Sequence, residues 1–176
     1  MKKLAKLTAL LLTGVMLLLL ASCGAAPNPG GSSGLTAAEA KAKQEIFNAI
    51  KDERQKAGKA PLKEVPALTQ LEQEFIEHFR EAGTKGIPAS EANQLLQELK
   101  NKQKKAGWQW TGGINYDWNP AKLRLVYEGD TPEFRKKLTE MGFVNSIDNP
   151  SSALSIGVVT IEGKIYWTAT TLKPIT

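Results

Sequence analysis

The chain has 176 residues, 41% of them hydrophobic and 23% charged, with 9 prolines and a formal charge of +5. That length holds one ordinary domain with appendages, and the composition excludes collagen-like, disordered and polytopic membrane chains. With one Cys and one His, the chain can build neither an intrachain disulfide framework nor a structural zinc site of the usual Cys and His type.

Lys2, Lys3 and Lys6 precede a fourteen-residue apolar run from Leu7 to Leu20. This is shorter than the ~20 residues a bilayer-spanning helix needs, so residues 1–22 read as a signal peptide. The run ends in Leu20-Ala21-Ser22-Cys23-Gly24, which resembles the lipobox of bacterial lipoproteins. The resemblance implies that Cys23 is the mature N-terminus, acylated on sulfur, on a membrane-anchored lipoprotein facing the periplasm or the cell exterior. The alternative is an ordinary secretory signal with a chance cysteine. Cleavage before Cys23 removes three lysines and no acids, leaving 20 basic residues against 18 acidic. The basic excess belongs largely to the signal, and no nucleic-acid partner is expected, because that needs a concentrated basic face. Lys100, Lys102, Lys104 and Lys105 read instead as the solvated end of a helix, where cations suit the dipole. Residues 23–35 hold the lipidated Cys and a tether of Gly, Pro and Ser with a reach of about 20 Å.

The domain occupies residues 36–176. Thr36 with Glu39 is a capping-box pattern, and Ile46, Phe47 and Ile50 share one helical face before Gly58. A second helix carries Leu68, Leu71, Phe75, Phe79 and Ala82 and closes at Gly83. A third runs from a Ser90 cap through Leu95, Leu96 and Leu99 towards Gly107. All three are expected to share a core. Leu123, Leu125 and Tyr127 then alternate with Lys122, Arg124 and Val126 as a strand would. Thr131 and Pro132 open a short helix that ends at Met141-Gly142. Ala153 to Ile161 and Lys164 to Thr171 flank Glu162-Gly163, the pattern of a two-residue hairpin. Helices first and strands later predict an α+β layered domain.

The segment from Ile50 through Arg54, Ala57-Gly58 and Pro61-Leu62 to Pro66-Ala67-Leu68 is similar to the opening of the bacterial SCP-like branch of the CAP superfamily, which unites cysteine-rich secretory, antigen 5 and pathogenesis-related proteins. There the pattern is Asn-x-x-Arg with Ala-Gly, and Lys51 stands where the Asn would be. Gly113-Ile114-Asn115 sits where the family has Gly-Glu-Asn, and Thr131-Pro132-Glu133-Phe134-Arg135 where it has Ser-Pro-x-His-Arg. Ile156-Gly157-Val158-Val159 and Ile165-Tyr166-Trp167-Thr168 look like the family's last two strands. The resemblance implies a CAP-like α-β-α sandwich with three N-terminal helices and a C-terminal hairpin.

The family's cleft carries two His and two Glu that in some members bind a divalent metal, a donor set that suits zinc. Here Ile114 and Phe134 occupy two of those positions, residues 83–90 contain no His, and Glu128 is only the nearest candidate for the second Glu. The resemblance therefore implies a degenerate cleft floor with no metal and no cofactor. Ile114 and Phe134 are expected to lie near each other. His78, with Glu74 one turn earlier, reads as a surface hydrogen-bonding pair or, alternatively, as a metal or general-base site. No Gly-x-Ser-x-Gly elbow is present.

Trp108, Trp110, Tyr116 and Trp118 fall within eleven residues. They serve either as packing or as a surface that stacks on a sugar or lines an apolar slot. The candidate ligand contacts are Trp110, Trp118, Asn115 and Arg135. No catalytic set is assigned. The expected function is a non-enzymatic CAP-like lipoprotein that binds a ligand or protein of the cell envelope. The alternatives are an envelope hydrolase, peptidase-like or glycan-directed, with a carboxylate-based site, and a purely structural partner protein.

Overall fold

A computed structural model describes residues 34–114, 122–144 and 152–176. Among these, four helices and five strands run in the order α1 (Ala37–Lys56), β1 (Lys63–Glu64), α2 (Pro66–Ala82), α3 (Ala89–Lys105), β2 (Trp108–Ile114), β3 (Val126–Tyr127), α4 (Pro132–Glu140), β4 (Ala153–Ile161) and β5 (Lys164–Pro174). The class is α+β. Cys23, Asn115, Tyr116 and Trp118 lie outside the described residues.

The sheet runs β1-β4-β5-β2, and β3 also pairs with β5. β1 joins β4 in parallel, while β4, β2 and β3 are all antiparallel to β5. β2 takes the C-terminal half of β5 from Ala169 to Pro174, and β3 takes Ile165 and Tyr166. The hairpin of β4 and β5 is therefore the spine of the sheet. Its turn falls on Glu162 and Gly163, both at positive φ, as a two-residue loop between right-twisted strands requires.

Every residue of β4 except Thr160 is buried, which is how a strand reads when both faces of its sheet are covered. On one face Leu154, Ile156, Val158, Trp167 and Ala169 meet Ile46, Ala49 and Ile50 of α1 and Phe134 and Leu138 of α4. On the other, Val159 and Ile161 meet Phe75, Ile76 and Phe79 of α2 and Leu96 and Leu99 of α3. Leu68, Ala153 and Leu172 continue that second layer. The three N-terminal helices thus do not share one core. The sheet separates α1 from α2 and α3, because the odd and even positions of β4 point opposite ways.

Local chemistry sets the helix ends. Thr36 caps α1 through a complete capping box, its hydroxyl accepting from Glu39 N while Glu39 accepts from Thr36 N. Thr131 caps α4, accepting from Phe134 N at 3.1 Å, with Pro132 in the first turn. For α3 the expected Ser90 cap is corrected: the N-cap is Pro88, and Ser90 lies inside the first turn. The fixed φ of proline suits a helix entry, and it shifts the start one residue ahead of the hydroxyl. The strand expected over 122–127 shrinks to Val126–Tyr127, because its one strand neighbour among the described residues is the short stretch of β5 that β2 leaves open. β1 was not read from the sequence. It is held by register with Ala153 and Leu154, and two charged residues carry no periodicity.

Arg54 is wholly buried. Its guanidinium donates to the carbonyls of Ala60 at 2.9 Å, Phe143 at 2.9 Å and Val144 at 3.4 Å, fastening the end of α1 to the segment that follows α4.

Candidate functional site

The position expected to be a cleft floor is packed. Phe134 is 8% exposed and lies edge-on to Tyr127 at 5.1 Å and to Trp167 at 5.9 Å between ring centroids. The Tyr127 hydroxyl donates to Glu45 at 2.9 Å, and burial, then that bond, pushes its ionisation well above the usual tyrosine range. Ile114 pairs with Ala169, two residues along β5 from the Trp167 that Phe134 touches. The backbone thus brings both positions to one stretch of β5.

Arg135, a candidate ligand contact, is engaged within the fold. Its guanidinium reaches Asp130 at 2.6 Å, Glu53 at 3.1 Å and Asp52 at 3.3 Å, tying α4 to the end of α1. Its hydrogen bond holds Asp130 below the usual carboxylate range, and Lys56 with Arg135 does the same for Glu53. All three carboxylates are thus held by Arg135, and Glu53 by Lys56 as well.

His78 is exposed and lines a small crevice with Glu74 and Lys102. Glu74 ion-pairs with Lys102 at 3.2 Å and accepts from Gln70 at 3.3 Å. Among the described residues no group of three or more His, Cys, Asp and Glu is placed to hold a metal ion.

Two features escape the sequence reading. The first is Glu72, wholly buried where α2 crosses the sheet. It accepts from Thr170 at 2.5 Å and Ser155 at 3.3 Å through one oxygen, while its Oε1 and the Thr168 hydroxyl have no hydrogen-bond partner among the described residues. Burial raises its pKa, and the hydrogen bonds from Thr170 and Ser155 and the Lys43 charge only partly offset this. The sequence signal was the small and hydroxyl residues Ser155, Gly157, Thr168 and Thr170, which share one strand face. This carboxyl has no exposed surface through which to meet a substrate.

The second is a groove of about 470 Å³ lined by Lys100 and Lys104 of α3, Trp108, Gln109 and Trp110 of β2, and Ile175. Trp108 and Trp110 alternate along β2, so they share a face, where Leu68 and Leu172 pack against them. Each is half-buried, joining the core on one side and the groove on the other. The Trp110 indole donates to Gln103, which is buried, and this fixes the ring. Lys100 Nζ sits 4.7 Å from the Trp110 ring centroid, a cation-π contact that lays the lysine stem along the groove. Ile175 is 46% exposed, the one exposed large hydrophobic among the described residues. Trp110 was anticipated as a contact. Lys100 and Lys104 were read only as a solvated helix end, because a sequence does not show which strand packs beside it.

Comparison with models of known families, with curated proteins and with solved structures finds no match to this chain.

Proposed function

We propose that the chain is a cell-envelope lipoprotein, anchored through Cys23, whose CAP-like domain acts by binding and not by catalysis. The observation that carries the binding reading is the open, aromatic and cationic groove of Trp108, Trp110, Lys100 and Lys104, set beside a cleft-floor position that is filled by Phe134. Support for the CAP-like reading comes from the helices on both faces of the sheet, the terminal hairpin and the convergence of the Ile114 and Phe134 positions on β5. A carboxylate-based hydrolase finds no support in these sites: Asp52, Glu53 and Asp130 are spent on Arg135, and Glu72 is sealed.

The test is a photo-crosslinking amino acid placed at Gln109 in the groove and, as control, at exposed Glu133 on α4, each in the full chain in cells. A discrete adduct from position 109 that is absent from 133 and lost on Trp110→Ala is the expected result. Equal adducts at both positions, or none at 109, would overturn the reading.

A further inference from the structure

The two long borders of the sheet are finished differently. Past β1, the border of β4 is closed by side chains: Gln73 donates to Val158 O at 2.7 Å and accepts from Val158 N at 3.0 Å, and Glu39 accepts from Thr160 N at 2.7 Å. An amide and a carboxylate there stand in for a missing strand. β2 forms the opposite border, with β5 as its one strand neighbour among the described residues. On such a border every second residue turns its N–H and C=O outwards, a template for a further strand. At Trp108, which lies opposite Pro174 and turns its N–H and C=O away from β5, no side chain of the described residues closes it as Gln73 does on β4, and the groove lies there instead.

The charge of that groove is one-sided. Lys100 and Lys104 stand one helical turn apart, neither forms an ion pair among the described residues, and none of the described residues that line the groove is a carboxylate. Lys102, by contrast, is paired with Glu74. A neutral sugar would leave both ammonium groups without a counter-charge, and a basic partner would be repelled. A strand with acidic side chains uses the backbone border, the aromatic wall and the charge together.

We infer that the groove takes an extended acidic peptide segment of another envelope protein, added as a strand along β2, with apolar side chains against Trp108 and Trp110 and carboxylates on Lys100 and Lys104. This rests on the binding reading above and names its ligand class.

The test uses the full, processed chain in detergent. The probe is the blocked heptapeptide acetyl-Thr-Glu-Thr-Leu-Thr-Glu-Thr-amide, compared with its Lys-for-Glu counterpart, with a version N-methylated on alternate residues, and with trigalacturonate, an acidic glycan lacking a peptide backbone. The acidic peptide should bind and slow amide exchange at 108–110. The Lys peptide, the N-methylated peptide and the K100E/K104E variant should each weaken binding at least tenfold. An unchanged unfolding midpoint shows that the variant is folded. Trigalacturonate binding as tightly as the peptide would overturn the peptide assignment and leave a binding groove standing. Undiminished binding of the N-methylated peptide would overturn strand addition. Failure of both acidic probes with the Gln109 crosslink intact removes the ligand class alone, whereas loss of that crosslink as well removes the groove reading too.

Discussion

Two side chains show how burial decides a role. Phe134 stands where the resemblance places an imidazole, and Tyr127 and Trp167 surround it with ring edges, so its contribution is packing. Phe134→Ala should cost about 3–5 kcal/mol, as truncation of a core Phe does, and Phe134→His should also destabilise, since an imidazole there lacks partners; urea unfolding reads both, and a neutral Phe134→Ala would remove the packing account. Glu72 is the opposite case, a polar group where an apolar one would be ordinary. Its native pKa is raised, so the stability it supplies as a neutral carboxyl is full below the unfolded-state value, about 4.3, and is lost as pH rises through the native pKa. Glu77 and Asp130, held down by Arg80 and Arg135, and Glu39, where bonds to Thr36, Thr160 and Arg80 outweigh a larger burial effect, behave inversely. They lose their contribution on acidification. Glu72→Gln removes only the first effect, so the stability of wild type minus variant should decline steadily as pH rises above about 4.3; a flat difference would contradict the buried neutral carboxyl.

Among the elements, α2 and β4 are locked by an approach closer than side chains normally permit. A Cβ on Gly157 would stand 2.7 Å from the Glu72 carbonyl oxygen and 3.0 Å from Ile76 Cγ2, so the helix backbone rests directly on the strand. Gly157→Ala should destabilise by about 1–3 kcal/mol, the usual cost of overpacking. Gln73→Leu should cost about 1–3 kcal/mol for each Val158 group left unpaired. Faster amide exchange at Val158 would accompany the second, with Thr160, held by Glu39, as the internal control, and unchanged exchange at Val158 would show that Gln73 does not close this border. The hairpin, the α4 cap and the extents of the first two helices were legible in the sequence, because each is written in contiguous residues: Glu162-Gly163, Thr131-Pro132, Thr36 with Glu39. The Gln73 clamp was not, since a polar residue on an amphipathic helix looks alike whether it meets water or a strand 85 positions away. The Trp108 and Trp110 stripe was legible as alternation. Its pairing with Lys100 and Lys104 was not, because it arises where the chain turns at Gly107 and lays β2 beside α3.

For the whole molecule, the sequence order of helices before strands fixed the class, while the side of the sheet each helix takes depended on the strand pleat and could not be read from helix faces alone. The lipoprotein reading concerns residues outside the described domain and is tested directly. Cys23→Ser should abolish processing at that position and detergent-dependent membrane association, because stable anchoring needs more than one acyl chain. A mutant that is still processed and membrane-bound in cell fractionation would sink it.

The strands on which every layer rests, β4 and β5, span residues 153–174, and the contact between Glu39 and Thr160 bridges 121 positions. During synthesis, α1, α2 and α3 therefore emerge with their apolar faces long before the surface that covers them exists. Such late closure delays folding and, on the lipoprotein reading, leaves the chain threadable while it is being translocated. A nascent chain stopped at residue 152 should remain fully protease-sensitive, and release of the last 24 residues should confer resistance in one step. Resistance already present at 152 would mean that the helices can close on one another without their sheet.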